Sequence, residues 1–433
     1  MARLFAIALL MLMILPTTTW ADAEADAIRA RDDRIEDLEQ KMGLMIDELS
    51  RLRTQVAVPE ETELKSFYGL GPAASKVYGL ERGLSIGGYG EGFYTNFIGD
   101  EADTDRDRAD FLRFVMYLGY KFSDKIVFNS EIEFEHASTD KAGSASVELA
   151  SLDFFWKPEL NFRAGLMLLP MGFINEIHEP PFFYGVQRPE VERRILPSTW
   201  RENGVGIFGQ FGESFEYRSY LVTGFDATGF SDSGIRGGRQ KGSKALAEDF
   251  AWVTRFDYSP EILPGLQVGG SLYFGDSGQD QETGVGDVPD ARLWLGEAHV
   301  QYRKGPFHSR ALLAYSQLSD ARDLNLALGR PKNKPIADKM LGAYAEVAYD
   351  IWPMLFGNEQ KALEPFLRVE YVDTQYEVPS GYSANRQRAY WVYTPGINLY
   401  LHPNVVLKLE YRNFNAQDGT LPDELSLGMG FAF

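Results

Sequence analysis

Apolar and polar side chains alternate along most of the chain, most clearly in the stretch Arg108–His136. Two alternating runs in this stretch flank the short turn Ser123–Lys125. One face of the runs carries Leu112, Phe114, Ile132 and Phe134, and the other carries Arg113, Glu131 and Glu133. Because successive strand side chains point to opposite sides, the pattern predicts a β-hairpin with one apolar and one charged face. A soluble sandwich can show this pattern, but the strand length and the aromatic ends favour a membrane-spanning barrel.

The same alternation predicts 16 strands between Leu84 and Phe433. Short connections between the runs alternate with longer polar loops, which is typical of outer-membrane barrels with short turns at one rim and long loops at the other. The sequence therefore predicts an all-β fold, a 16-stranded antiparallel transmembrane β-barrel over residues 84–433. The predicted strands lie near residues 84–97, 108–122, 126–137, 147–157, 161–170, 203–211, 214–225, 250–259, 265–275, 291–303, 307–318, 339–351, 364–374, 388–400, 404–414 and 424–433.

The N-terminus differs from the rest of the chain. Residues 1–23 have the pattern of a secretory signal peptide, with Arg3, the apolar core Leu4–Leu15 and the small-residue cleavage motif Ala21–Ala23. We expect cleavage after Ala23, with Ala21 as the alternative site. The mature protein is therefore predicted to be exported.

Residues 24–58 carry apolar residues at alternating spacings of three and four, with charged residues at most other positions. This heptad pattern predicts an α-helical coiled coil and hence an oligomer, although one amphipathic helix packed on a domain could show a similar stripe. Pro59 ends the predicted helix, and residues 59–83 are predicted to be a linker. The residues of the predicted oligomerisation seam are Ile35, Leu38, Met42, Met45, Leu49, Leu52 and Val56.

Composition narrows the possible functions. The chain has 433 residues, no cysteine and a formal charge of −19, so it does not resemble a nucleic-acid-binding protein. Only five histidines are present, and the sequence contains neither a Gly-x-Ser-x-Gly elbow nor an HExxH motif. We therefore expect no enzyme activity, no catalytic residue, no cofactor and no metal ligand.

Residues 170–202 are too long and too aromatic for an ordinary surface loop. The loop follows the fifth predicted strand, which makes it the third long loop. In this position it resembles the third loop of general porins, which folds into the lumen, and the resemblance implies that residues 170–202 narrow the barrel interior. Charged residues of this loop and of the polar strand faces either line an aqueous pore or form ion pairs with neighbouring strands. The candidate pore-lining or constriction residues are Arg113, Glu131, Glu133, Arg163, Arg193, Arg194, Arg201, Arg218, Arg255, Arg303, Arg368 and Lys408.

Four features together resemble the phosphate-selective porin O and P family. They are the hairpin Arg108–His136, the N-terminal heptads, the run GLMLLPMGF at Gly165–Phe173, and an alternating last strand that ends on Phe433. The resemblance implies a trimer of 16-stranded barrels that pass anions through a constricted, arginine- and lysine-lined pore. It also implies a short N-terminal coiled coil, as several members have.

The sequence thus predicts an outer-membrane porin for passive diffusion of small hydrophilic solutes or ions, with anions such as phosphate implied by the resemblance. Expected partners are outer-membrane lipid, lipopolysaccharide and further copies of the chain in a homotrimer, with the coiled coil in the periplasm. The alternative is a structural or adhesive outer-membrane barrel whose coiled coil contacts peptidoglycan or a partner.

Overall fold

The structure, a computed structural model, describes residues 29, 31, 34–45, 64–99, 106–140, 143–357 and 361–433. The chain divides into two units, Met1–Glu61 and Thr62–Phe433. Among the described residues, no helix is both long enough and apolar enough to span a bilayer.

In the first unit, residues 34–45 are helical, and four members of the predicted seam are exposed on this helix: Ile35, Leu38, Met42 and Met45. Leu49, Leu52 and Val56 lie outside the described residues, as does the predicted signal peptide. The helical periodicity is therefore present in part, and the coiled coil stays a prediction.

The second unit is a closed antiparallel barrel of 16 strands, which confirms the predicted fold class. Each strand pairs with its neighbours in sequence, and the last strand pairs with the first to close the barrel. The strands are β1 (Gly83–Ile98), β2 (Arg108–Ser123), β3 (Ile126–Glu135), β4 (Ser144–Lys157), β5 (Leu160–Leu168), β6 (Arg201–Phe211), β7 (Phe215–Thr223), β8 (Phe250–Tyr258), β9 (Leu266–Gly275), β10 (Leu293–Lys304), β11 (Phe307–Leu318), β12 (Lys339–Tyr349), β13 (Ala362–Glu377), β14 (Ala389–His402), β15 (Val405–Ala416) and β16 (Asp423–Ala432).

The connections differ between the two rims of the barrel. At one rim most turns are short, and the longest is residues 350–361 with the helix Trp352–Phe356. The other rim carries the long loops, including residues 169–200, called here the inward loop, and residues 224–249, called the cap loop. The remaining α-helices are Glu190–Arg194 and Ala321–Ala327, and the 3-10 helices are Ala74–Gly79, Pro180–Phe182, Ala227–Gly229, Arg236–Gly238 and Arg386–Arg388.

Strand β8 shows how alternation divides the two faces of the wall. Phe250, Trp252, Phe256 and Tyr258 are exposed on the outer face, whereas Ala251, Val253, Arg255 and Asp257 are buried inside. Exposed large apolar side chains recur on the outer faces of most strands. This apolar exterior is the surface that a lipid-embedded barrel requires.

The inner face of the wall is apolar, not polar, at the long-loop end of β7–β14. There the inward side chains are apolar and form one buried cluster with residues of the inward loop, such as Val191, Ile195 and Trp200. Burying each large apolar side chain contributes about 1.5–3 kcal/mol, so this cluster holds the loop against one side of the barrel. Members from the wall include Tyr220, Val222, Val253, Tyr273, Leu293, Leu295, Leu312, Tyr344 and Val392.

Candidate channel interior

The inward loop lies inside the barrel and is held there by charged side chains of the wall. Lys408 on β15 donates to the carbonyl oxygens of Phe183 and Gly185, at 2.9 and 2.7 Å. The Lys408 ammonium also lies 3.7 Å from the centroid of the Phe183 ring. Glu410, two residues further along β15, accepts hydrogen bonds from the backbone N–H groups of Val186 and Gln187.

Neighbouring strands hold the rest of the inward loop. Arg368 on β13 donates to the carbonyls of Tyr184 and Gln187, each at 3.1 Å. On the opposite side of the interior, Arg255 donates to the carbonyl of Gly172. Hydrogen bonds from charged groups are stronger than neutral ones, so the wall fixes the loop through its backbone.

The cap loop covers the inward loop from the long-loop rim. Arg236 donates to the carbonyls of Arg193 and Ser198, and Arg239 donates to those of Pro197 and Thr199. Both guanidinium groups are therefore engaged within the protein. This basic stretch ties one loop to another.

Residues 64–82, called here the N-terminal segment, fill part of the barrel at the short-turn rim. Asn129 donates to the carbonyl of Ala74, and the Tyr78 hydroxyl donates to Asp153 on the inner wall. Val77 packs where Gly119 has no side chain, because a Cβ on Gly119 would lie 2.6 Å from the Val77 Cβ. Within the predicted linker 59–83, residues 70–75 are thus buried inside the barrel.

The inward loop and the N-terminal segment meet at Glu179. The Glu179 carboxylate accepts the backbone N–H of Ala73 at 3.0 Å and that of Ala74 at 3.2 Å. Glu179 has no solvent exposure. Burial raises the pKa of the Glu179 carboxyl to about 8, because the charged form loses its water.

The candidate pore residues on the strands face the interior, mostly as ion pairs. Six of the predicted arginines are less than a tenth exposed, and each has a carboxylate partner within 3.1 Å. These pairs leave little free charge on the inner wall. The pairs are Arg113 with Glu91 and Glu133, Arg163 with Asp153, Arg201 with Glu148, Arg218 with Glu176 and Asp257, Arg255 with Asp257, and Arg368 with Glu346 and Glu370.

The other candidates occupy different surroundings. Arg193 and Arg194 are each 37% exposed in their side chains and pair with Glu190 of the same short helix. Arg303 is exposed near the short-turn rim, and Glu131 is buried beside His178. Whether any of these residues lines the conducting path stays a prediction.

A polar cavity lies on each side of the inward loop. The cavity at the long-loop rim has a volume of about 300 Å³, and four arginines line it: Arg108, Arg193, Arg194 and Arg388. The cavity at the short-turn rim has a volume of about 470 Å³ and lies between the N-terminal segment, the inward loop and the wall. Its lining includes Tyr68, Phe173, Glu216, Gln267, Gln301 and Arg310.

Sequence reasoning missed Glu148, which is buried inside the barrel. The pairing register between β3 and β4 shifts by one residue between Glu131 and Ile132 of β3. Strand β4 therefore has a β-bulge opposite this point. A bulge inserts one residue and re-aims the side chains beside it. Strict alternation counted back from the inward-facing Asp153 would place residue 148 on the outer face, and the sequence carries no signal that marks the bulge.

These features define a class of fold, the closed 16-stranded barrel of outer-membrane porins with a loop folded inside. Solved structures with this fold include Salmonella typhi OmpF in complex with daunomycin, with a TM-score of 0.54 at 14% identity, covering 82% of this chain and 98% of that one. The anion-selective porin from Comamonas acidovorans has a TM-score of 0.51 at 9% identity, covering 82% of this chain and 100% of that one. A loop-deletion mutant of OmpT from Vibrio cholerae has a TM-score of 0.52 at 9% identity, covering 82% of this chain and 100% of that one.

One sequence relative shows the family. The chain is 36% identical over 373 residues to an uncharacterized protein of Aquifex aeolicus (strain VF5), covering 83% of this chain and 82% of that protein. The chain belongs to the same family as this Aquifex protein. No model of a known protein family matches the chain, so the resemblance to phosphate-selective porins O and P stays a prediction.

Proposed function

We propose that the protein is an outer-membrane porin through which small hydrophilic solutes and ions diffuse passively. The observation that carries the proposal is the inward loop inside a closed barrel, with a polar cavity on each side of it. An apolar exterior and a partly wetted interior suit a channel across a bilayer. The cavities would be the two vestibules, and the inward loop would form the constriction between them.

The cavity at the long-loop rim supports a preference for anions at the outer entrance. Its wall carries four arginines and two carboxylates, Glu190 and Glu424, and Arg388 also pairs with Asp232 at 2.9 Å. A cationic lining raises the local concentration of anions. Phosphate is one candidate solute, since arginine forks match its geometry.

The proposal includes a homotrimer in the outer membrane, surrounded by lipid and lipopolysaccharide. The exposed apolar positions of the helix 34–45 support association of the N-terminal helices. Signal-peptide export would place these helices in the periplasm.

A structural barrel is the second candidate function. The filled interior favours it, because the inward loop, the cap loop and the N-terminal segment share buried contacts with the wall. Such a barrel would anchor the periplasmic helix and conduct little.

A liposome-swelling assay tests the proposal. Vesicles that contain the purified full-length protein are diluted into iso-osmotic solutions of uncharged sugars of increasing size, with protein-free vesicles as the control. A porin gives swelling that falls as the sugar grows. Swelling no faster than in the protein-free vesicles would favour the structural barrel.

A further inference from the structure

Three buried side chains from different elements converge where the inward loop meets the wall. They are Glu131 on β3, Glu148 on β4 and His178 on the inward loop. One ligand atom from each lies within 4.8 Å of the other two. The Nε2 atom of His178 lies 3.1 Å from Oε1 of Glu131 and 3.7 Å from Oε2 of Glu148.

The β-bulge in β4 makes this convergence possible. Glu131 pairs with Leu149 and Ile132 pairs with Val147, so Glu148 is the extra residue of the bulge. Its side chain turns inward beside Leu149, and both residues are buried. Without the bulge, a glutamate at this position would point away from His178.

The hydrogen bond at the other ring nitrogen fixes the tautomer of His178. Nδ1 lies 3.0 Å from the carbonyl oxygen of Asn175. A carbonyl only accepts, so Nδ1 carries the proton and donates it. In the neutral ring, Nε2 then directs a lone pair at two carboxylates, an arrangement that needs a positive charge between them. Histidines that bind a metal through one ring nitrogen usually donate the N–H of the other nitrogen to an acceptor such as a backbone carbonyl.

Glu148 supplies a second, independent observation. Arg201 occupies its Oε1 atom at 2.6 Å. Its Oε2 atom, which faces His178, is buried, and no N–H or hydroxyl group of the described residues donates to it. The carboxyl group of Glu133 is the neighbouring acid within hydrogen-bond reach of Glu148. A buried charged oxygen without such a donor is costly, and a cation at this point would satisfy it.

We propose that Glu131, Glu148 and His178 bind a divalent transition-metal ion of the Zn²⁺ type. Zinc binds imidazole nitrogen and carboxylate oxygen at about 2.0–2.2 Å, which separates neighbouring ligand atoms by about 3.3–3.6 Å in a tetrahedral site. The observed separations of 3.1 and 3.7 Å bracket this range. One nitrogen with two oxygens suits zinc better than calcium or magnesium, which prefer oxygen alone.

A second buried histidine, His299 on the wall strand β10, shows a different arrangement. His299 has Nδ1 at 2.9 Å from Oε2 of Glu297 and Nε2 at 2.9 Å from Oδ1 of Asp257. Its two nitrogens face separate carboxylates, and Nε2 also lies 3.1 Å from Nη2 of Arg255, so a cation already accompanies the carboxylates at this site. His299 needs no metal ion and is a matched control for His178.

The metal ion would bind the inward loop to the wall. His178 comes from the loop, whereas Glu131 and Glu148 come from adjacent strands. Each coordination bond would therefore link the constriction to the barrel. Loss of the ion would release the loop at this point while leaving the contacts of Lys408 and Arg368 in place.

Metal retention by the full-length, untagged protein tests the site. The protein is folded with Zn²⁺ present, passed through a desalting column and analysed for zinc by mass spectrometry, with folding checked by heat-modifiable migration. We expect about one zinc per chain in the wild type and in His299→Gln, and about tenfold less in His178→Gln and Glu148→Gln.

Cobalt provides a readout that does not depend on the variants. The wild type folded with Co²⁺ should show the visible absorption of a low-coordinate cobalt site, and zinc should displace it. A wild type that retains neither metal would overturn the proposal. Equal zinc retention in His178→Gln and in the wild type would overturn it as well.

Discussion

Glu179 and Ala73 join the two segments that fill the barrel. Both carboxylate oxygens of Glu179 lie 3.0 Å from the backbone nitrogen of Ala73. Glu179 belongs to the inward loop, and Ala73 belongs to the N-terminal segment. The position of the N-terminal segment therefore depends on a buried carboxyl group of the constriction.

This contact predicts a pH-dependent channel. The pKa of Glu179 is raised to about 8, so its contribution to stability is complete below the ordinary carboxyl pKa. It is lost as pH rises through the raised pKa. The charged form is also disfavoured by Glu131. Burial opposes the charged form, although its hydrogen bonds from Ala73 and Ala74 favour it. Channel conductance should therefore rise as pH passes through about 8, because the buried charge weakens the packing around Glu179. In Glu179→Gln this rise should disappear, and an unchanged pH profile in the variant would contradict the assignment.

Removal of the Arg368 guanidinium group should greatly lower the stability of the barrel. The side chain is fully buried between Glu346 and Glu370, at 3.1 and 2.9 Å. Arg368→Met would leave two buried carboxylates without this partner, at a cost of about 3–5 kcal/mol. Urea unfolding of the reconstituted barrel measures the change. Arg303→Met, at an exposed position, is the control and should alter the midpoint little.

The arginines at the long-loop rim predict the ion preference of the entrance. Arg193→Gln combined with Arg194→Gln removes two of the four cations that line the cavity. The reversal potential in a salt gradient should then shift toward that of a more cation-selective channel. Lys334→Gln removes an exposed charge that does not line this cavity and should leave the potential unchanged. Equal shifts of the reversal potential in the double arginine variant and in Lys334→Gln would show a general effect of surface charge and contradict the prediction.

The N-terminal seam predicts that a peptide of residues 24–58 associates on its own. Sedimentation equilibrium should show a helical oligomer, and Leu38→Glu should shift it toward the monomer because a charge would enter the seam. Glu39→Gln, outside the seam, should leave association intact. A wild-type peptide that stays monomeric at high concentration would contradict the coiled coil.

The barrel could be predicted from the sequence because alternation is a local property. Val253, Arg255 and Asp257 lie on one face of β8 in any register that keeps the strand, and period-two patterning shows this directly. The even strand count allows β16 to close antiparallel on β1, as the structure shows. The existence and order of the strands can thus be predicted from the sequence.

The interior could not be predicted in the same way. Alternation identifies Val253 and Leu295 as inward-facing only after the wall is known, and it does not show that the inward loop covers them. The carboxylate of Glu179 meets Ala73 more than 100 residues away, and such pairings have no sequence period. Glu148 turns inward through a bulge that alternation does not reveal. The metal site was therefore not expected.

Single-channel recording in planar bilayers tests the central claim most directly. Purified full-length protein, added at low concentration under a fixed voltage, should insert as discrete conductance steps of uniform size. Ions would then pass the inward loop between the two cavities. Protein that is folded by heat-modifiable migration and inserted in the bilayer, yet gives no steps, would contradict a channel.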